Sequence, residues 1–161
     1  MQARSRVIMR VLYFAYGSNM SSERLRSRIS FMQIISRALL KDWKVVFNKR
    51  SNDGSGKANL VESPGAVTWG VLYEIDVQDL DTLDKIEAGY EHTTVRIWTP
   101  DGNVVEAVTY ISENLTDDPR AYKWYKELIL SGARENNLPQ DYIAYLEELP
   151  VKPNSDSETA G

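Results

Sequence analysis

The chain contains no cysteine and only one histidine, His92, in 161 residues. Without cysteine there can be no thiol nucleophile, disulfide or thiolate metal site, which suits a reducing cytoplasm. A lone histidine leaves too few ligands for a zinc centre, and no Asp-rich loop with calcium spacing occurs. Neither Gly-x-Gly-x-x-Gly nor a phosphate-loop motif is present, so no nucleotide cofactor is expected, and no metal. No window reaches the ~18 apolar residues of a membrane span. Residues 1–10 are basic but too interrupted for a targeting segment, and are read as an extension. The net charge of -4 lacks the basic excess that nucleic acid demands. The three arginines Arg24, Arg26 and Arg28 are read as a solvated helix face. The expectation is a cytoplasmic protein whose partner is neither nucleic acid nor a membrane.

What is present is one domain's worth of chain, 42% hydrophobic and 26% charged, able to bury roughly two-thirds of its unfolded surface. Periodicity and turn residues predict a strand over residues 11–16 and a short Ser-capped helix over 21–29. Two strands, 31–40 and 43–48, are separated by Lys41-Asp42, and a polar loop spans 50–56. Two more, 57–62 and 66–75, flank the turn Ser63-Pro64-Gly65. Asp76 caps a helix over 77–86 with Leu80, Leu83 and Ile86 on its apolar side. Pro100-Asp101-Gly102-Asn103 marks a hairpin between strands 93–98 and 104–111. Helices follow over about 118–135 and from Leu138-Pro139 to about 149. Residues 150–161 are read as a disordered tail. Clustered strands with few intervening helices indicate an α+β fold with a mixed, mainly antiparallel sheet and helices outside it.

The most informative run is Tyr13-Phe14-Ala15-Tyr16-Gly17-Ser18-Asn19-Met20. An aromatic strand stops at Gly-Ser-Asn and feeds a helix, so several backbone N–H groups are left facing outward to hold an oxygen-bearing group. Gly17 allows close backbone approach, and Ser18 and Asn19 can donate side-chain bonds or cap the helix.

This run resembles the N-terminal signature of the γ-glutamylcyclotransferase family, an AIG2-like group. Three further segments follow in that family's order: Pro64-Gly65-Ala66-Val67-Thr68-Trp69-Gly70-Val71-Leu72-Tyr73, then residues 80–87, then residues 125–136. The resemblance covers residues 11–149. It implies a small β-barrel with flanking helices, a cavity at one mouth and a homodimer. It also implies a cofactor-free enzyme in which a γ-glutamyl compound's own α-amine attacks its γ-carbonyl, releasing 5-oxoproline and an amino acid or amine.

By the same resemblance Glu87 is the general acid/base, at the end of Leu83-Asp84-Lys85-Ile86-Glu87. A carboxylate at a helix C-terminus is disfavoured by the dipole, a placement better explained by chemistry than by stability. Glu87-Ala88-Gly89-Tyr90-Glu91 is shorter than the family's usual loop and has Ala88 where glycine is usual, so Glu91 is a second candidate base. Tyr13, Phe14, Ala15, Tyr16, Gly17, Ser18 and Asn19 are expected to bind substrate, with Tyr110 and Tyr125. Tyr13 and Tyr16 are read as sharing the face of the first strand that lines the cavity. The turn would hold the glutamyl moiety by its carboxylate or its carbonyl oxygen. A Ser18–His92–Asp triad is conceivable but lacks a Gly-x-Ser-x-Gly elbow. Two other readings fit the same residues: a relative specific for γ-glutamyl amines, and a non-catalytic protein that binds a small acidic metabolite.

Overall fold

Alternating β-branched and aromatic residues make five strands that curl into a closed barrel. The computed structural model describes residues 9–154; residues 1–8 and 155–161, which hold most of the expected extension and tail, lie outside the described residues. The strands are β1 Arg10–Ala15, β2 Met32–Arg50, β3 Gly56–Asp76, β4 Glu91–Trp98 and β5 Val104–Ile111, in the order β1-β3-β2-β4-β5. Every pairing is antiparallel except the closure, where β1 meets β5 in parallel at Tyr13 and Val108. A barrel this small is filled by its own side chains. Phe14, Val45, Tyr73, Ile75 and Ile97 are fully buried there. Helices α1 Ser22–Arg26, α2 Val77–Ile86, α3 Lys123–Glu135 and α4 Gln140–Glu147 pack around it. This is the mixed α+β barrel that the sequence predicts. Among the described residues no helix is long and apolar enough to cross a membrane.

Several boundaries differ from the sequence reading. The two strands expected within 31–48 are one long strand, Met32–Arg50, and the two within 57–75 are one, Gly56–Asp76. The expected breaks face each other across the ladder: Asp42 takes a positive φ of 70°, and its Oδ1 accepts the Gly65 N–H at 2.9 Å. The ladder slips there as a bulge, which bends the strands without ending them. Arg10, read as part of the extension, opens β1 opposite Asp76. Helix α3 starts at Lys123, five residues later than expected. Ala121–Tyr122 instead form a short strand, β6, paired in parallel with β7, Val151–Lys152. Those two residues were expected in the tail.

Two devices fix the helix that carries Glu87. The Asp76 carboxylate accepts the Gln78 N–H at 3.0 Å and caps α2. Asp79, buried in the first turn, accepts the N–H groups of Ser30 (3.1 Å) and Phe31 (3.0 Å) and the Ser30 hydroxyl (2.9 Å). It thereby ties α2 to the segment entering β2. Asp79→Ala strands two backbone donors and is expected to lower stability by about 2–3 kcal/mol. Denaturant titration checks this; a loss within about 0.5 kcal/mol, the range of an ordinary surface change, would contradict the tether.

Candidate active site

The site is built where β1 runs out. After Ala15 the chain passes Tyr16 and Gly17 into a single turn of 3-10 helix, Ser18–Met20, whose first N–H groups have no intrahelical partner. Ser21 caps α1 by accepting the Arg24 N–H at 3.3 Å, so neither Ser18 nor Asn19 takes that role. Ser18 Oγ instead accepts from Arg24 Nε at 3.1 Å. Asn19 is buried and its carboxamide is used from both ends. Nδ2 donates to the Tyr13 hydroxyl at 3.0 Å and to Glu87 Oε1 at 3.3 Å, while Oδ1 accepts from Arg28 at 3.2 Å.

Glu87 terminates α2. Its N–H bonds the Leu83 carbonyl at 2.7 Å and its own carbonyl accepts the Tyr90 N–H at 3.0 Å. Between them Gly89 takes φ +89°, a reversal that favours glycine. The Glu87 side chain is 18% exposed and lies 3.4 Å from Arg28. Both of its contacts land on Oε1 and both are long, so Oε2 has no bonded partner among the described residues. Burial pushes the Glu87 carboxyl above the usual carboxylate range, against the pull of Arg28, Arg24 and Lys49.

A recess is lined by five tyrosines, Tyr13, Tyr16, Tyr90, Tyr110 and Tyr125, and by the Gly17–Asn19 turn and Glu87. The phenols are tied to the frame. Tyr16 donates to the Tyr110 carbonyl. Tyr110 donates to Asp84 at 2.7 Å, Tyr90 donates to the Ala58 carbonyl at 2.6 Å, and Tyr125 accepts the Ala58 N–H at 3.1 Å. Burial raises all five, Tyr125 to about 12 and the other four well above the ordinary phenol. They stay neutral at physiological pH, which leaves Glu87 as the lining group suited to move a proton there.

The structure brings Tyr13, Tyr16, Gly17, Ser18, Asn19, Glu87, Tyr110 and Tyr125 together around this recess. Phe14 and Ala15 do not line it: Phe14 is fully buried in the barrel with its ring against Gly70, and Ala15 presses its carbonyl on the same glycine. The strand alternation invoked for Tyr13 and Tyr16 is also corrected. Residues three apart point to opposite faces of a strand, and both reach the recess because β1 ends at Ala15, before Tyr16. Glu91 is exposed at the start of β4 and does not line the recess. His92 pairs with Asp84 at 2.7 Å and Ser18 with Arg24, so the Ser18–His92 alternative is not assembled.

Sequence reasoning missed Tyr90, Ala58 and Thr109, which also line the recess. It also misjudged the arginines. Arg26 is exposed, but Arg24 and Arg28 turn inward to Ser18, Asn19 and Glu87. Their four-residue spacing, which stacks side chains on one helix face, was the available signal.

With this geometry in hand, the chain can be set against known proteins. A family model described as AIG2-like matches residues 67–146. Gamma-glutamylcyclotransferase of Homo sapiens is 32% identical over 152 residues, which span 89% of this chain and 79% of the relative. The Bos taurus protein of the same name is 34% identical over the same coverage. A solved structure titled gamma-glutamyl cyclotransferase superposes with a TM-score of 0.82 at 30% identity, covering 92% of both chains. Sequence likeness over most of the length and a shared barrel lead to one conclusion: the chain belongs to the γ-glutamylcyclotransferase family.

Proposed function

We propose that this protein is a γ-glutamylcyclotransferase that uses Glu87 as its proton shuttle. The substrate class is a γ-glutamyl compound, with the glutamyl part in the tyrosine-lined recess and one of its oxygens on the Ser18–Asn19 N–H groups. Glu87 Oε2 takes a proton from the substrate's α-ammonium, whose ordinary pKa is ~8. The freed amine attacks the γ-carbonyl carbon and closes a five-membered lactam. Glu87 then returns the proton to the leaving nitrogen as its bond to that carbon breaks, and the second proton that the attacking nitrogen loses on becoming a lactam N–H passes to the departing amine. The products are 5-oxoproline and an amine in its ammonium form, with no net proton change and no co-reactant.

Nucleophile and electrophile share one molecule, so holding the folded conformer supplies much of the acceleration; oriented intramolecular attack reaches effective molarities of ~10⁵ M or more. The same carboxyl can accept and later donate because burial moves its pKa toward neutrality. The observation that carries the reading is the 3.3 Å contact between Glu87 and Asn19, which joins the proposed base to the proposed oxyanion-holding turn in one recess. The same reading makes the enzyme cytoplasmic and cofactor-free. The homodimer implied by resemblance is checked by sedimentation.

The direct experiment incubates the protein with a panel of γ-glutamyl amino acids and γ-glutamyl amines and looks for 5-oxoproline by mass spectrometry. Its appearance with at least one member is expected. Tight binding of a member without any 5-oxoproline would overturn the catalytic reading in favour of a metabolite-binding protein.

A further inference from the structure

Glu87 lines two recesses. The second adjoins the first and shares Ser18, Glu87, Tyr90 and Tyr125 with it. Its character is different. Arg24, Arg28, Lys49 and Lys57 all line it, and Glu87 is the one carboxylate among its lining residues. Two of the cations have acidic partners: Arg28 lies 3.4 Å from Glu87, and Lys57 lies 3.4 Å from Asp53. The other two do not. Arg24 bonds the Ser18 hydroxyl, and Lys49 sits over the Tyr90 ring at 5.1 Å; neither has a carboxylate within ion-pair distance among the described residues, and both act on Glu87 only from further away.

These cations are partly withdrawn from water. Burial lowers the pKa of both Arg24 and Lys57, which is the mark of charge held at a desolvation cost. Solvated surface cations would carry no such cost. An anion entering this space would offset it, and charge-assisted hydrogen bonds formed away from bulk water are the strong kind. Because Glu87 stands where the two recesses meet, a substrate with its glutamyl part in the tyrosine recess and its scissile nitrogen at Glu87 can extend its other half into the cationic recess.

Building on the cyclisation reading, we propose that the cationic recess holds the departing amino acid and selects one carrying two carboxylates. The favoured substrates are γ-glutamyl derivatives of acidic amino acids. The α-carboxylate and the side-chain carboxylate of the leaving group meet Arg24 and Lys49. A γ-glutamyl amine, which brings no negative charge, is the poorest substrate class, because it leaves both cations uncompensated.

The test compares kcat/KM for 5-oxoproline formation from γ-glutamyl-glutamate, γ-glutamyl-alanine and γ-glutamyl-ethylamide. The expected order is as written, with about tenfold between successive members, a step equivalent to one good charge-assisted contact. The preference is expected to shrink as ionic strength rises. Lys49→Gln and Arg24→Gln should each compress the glutamate-to-ethylamide ratio by about tenfold, mainly through KM, and Lys49→Arg should restore it. Calorimetric binding of free L-glutamate, the expected leaving product, should weaken in Lys49→Gln. Equal kcat/KM across the three substrates would overturn the charge selection and leave cyclisation intact. Binding of L-glutamate that ignores both substitutions would also overturn it. No 5-oxoproline from any of the three would instead remove the cyclisation reading, and the assignment of a leaving group with it.

Discussion

Glu87→Gln is expected to abolish turnover and to make the protein more stable at neutral pH. The amide keeps the shape and can still bond Asn19, but it cannot take a proton from an ammonium group. General acid–base catalysis by one positioned group is worth ~10²–10⁴-fold, and here one group serves both proton transfers, so a loss of at least about 10³-fold in kcat is expected. Substrate binding should survive.

The stability change follows from the raised pKa. The folded protein holds the Glu87 proton more tightly than the unfolded chain, whose carboxyl titrates near 4.5. The neutral form therefore favours folding below that value, and the benefit is lost as pH climbs through the folded pKa. The wild type carries that penalty at pH 7, whereas glutamine does not. Melting curves of the two proteins should differ at pH 7 and converge below about pH 4.5. A variant that retained turnover would move the shuttle elsewhere. A variant less stable at pH 7 would mean that the Arg28 contact outweighs burial.

The second large effect lies away from the chemistry. Gly132 in α3 packs directly on the 3-10 turn. A Cβ there would fall 2.5 Å from the Met20 carbonyl carbon and 2.6 Å from the Ser21 nitrogen, both backbone atoms. Asn136, one turn further along, donates to the Met20 carbonyl at 3.0 Å, so the helix and turn are fixed to each other. Gly132→Ala gains about 1 kcal/mol of helix propensity. Overpacking against backbone that cannot rotate away costs about 1–3 kcal/mol and outweighs that gain here.

The displaced turn carries Asn19, which holds both Tyr13 and Glu87. The variant should therefore lose kcat/KM by about tenfold or more, since small misplacements at a reacting centre cost up to ~10²-fold. Denaturation and steady-state kinetics on the same preparation check both halves. Unchanged melting with full activity would show that α3 does not set the turn.

Local signals were read correctly where the physics is local. Asp76 capping and the leucine spacing delimit α2 as found, Val77–Ile86, with Leu83 buried, whereas Ile86, expected on the apolar side, is exposed. The turn at Pro100–Asn103 was legible because Gly102 supplies the needed positive φ of 85°. What failed to show in the sequence depends on residues distant along the chain. Asp42 and Gly65 each look like a strand end, and only their pairing across the ladder turns two breaks into one bulge. The β6–β7 pair joins residues 30 apart through two rungs, too short to leave a periodic trace. Phe14 is the reverse case: it sits inside the signature run yet serves the core, because the strand's alternation sends it away from the recess. Tyr90 had no motif of its own. It was hidden in a loop read for its length, for Ala88 and for Glu91, and its role rests on reaching the Ala58 carbonyl from across the site.

The most direct measurement is the pH dependence of kcat/KM for 5-oxoproline formation. The reactive pair is ionised Glu87 with the substrate's ammonium form, so the profile should be a bell. Its acid limb should rise with a pKa above the 4.5 of an ordinary glutamate, and its alkaline limb should fall near the substrate amine's ~8. A rate that holds its plateau down through pH 4.5 would contradict a buried Glu87 as the proton shuttle.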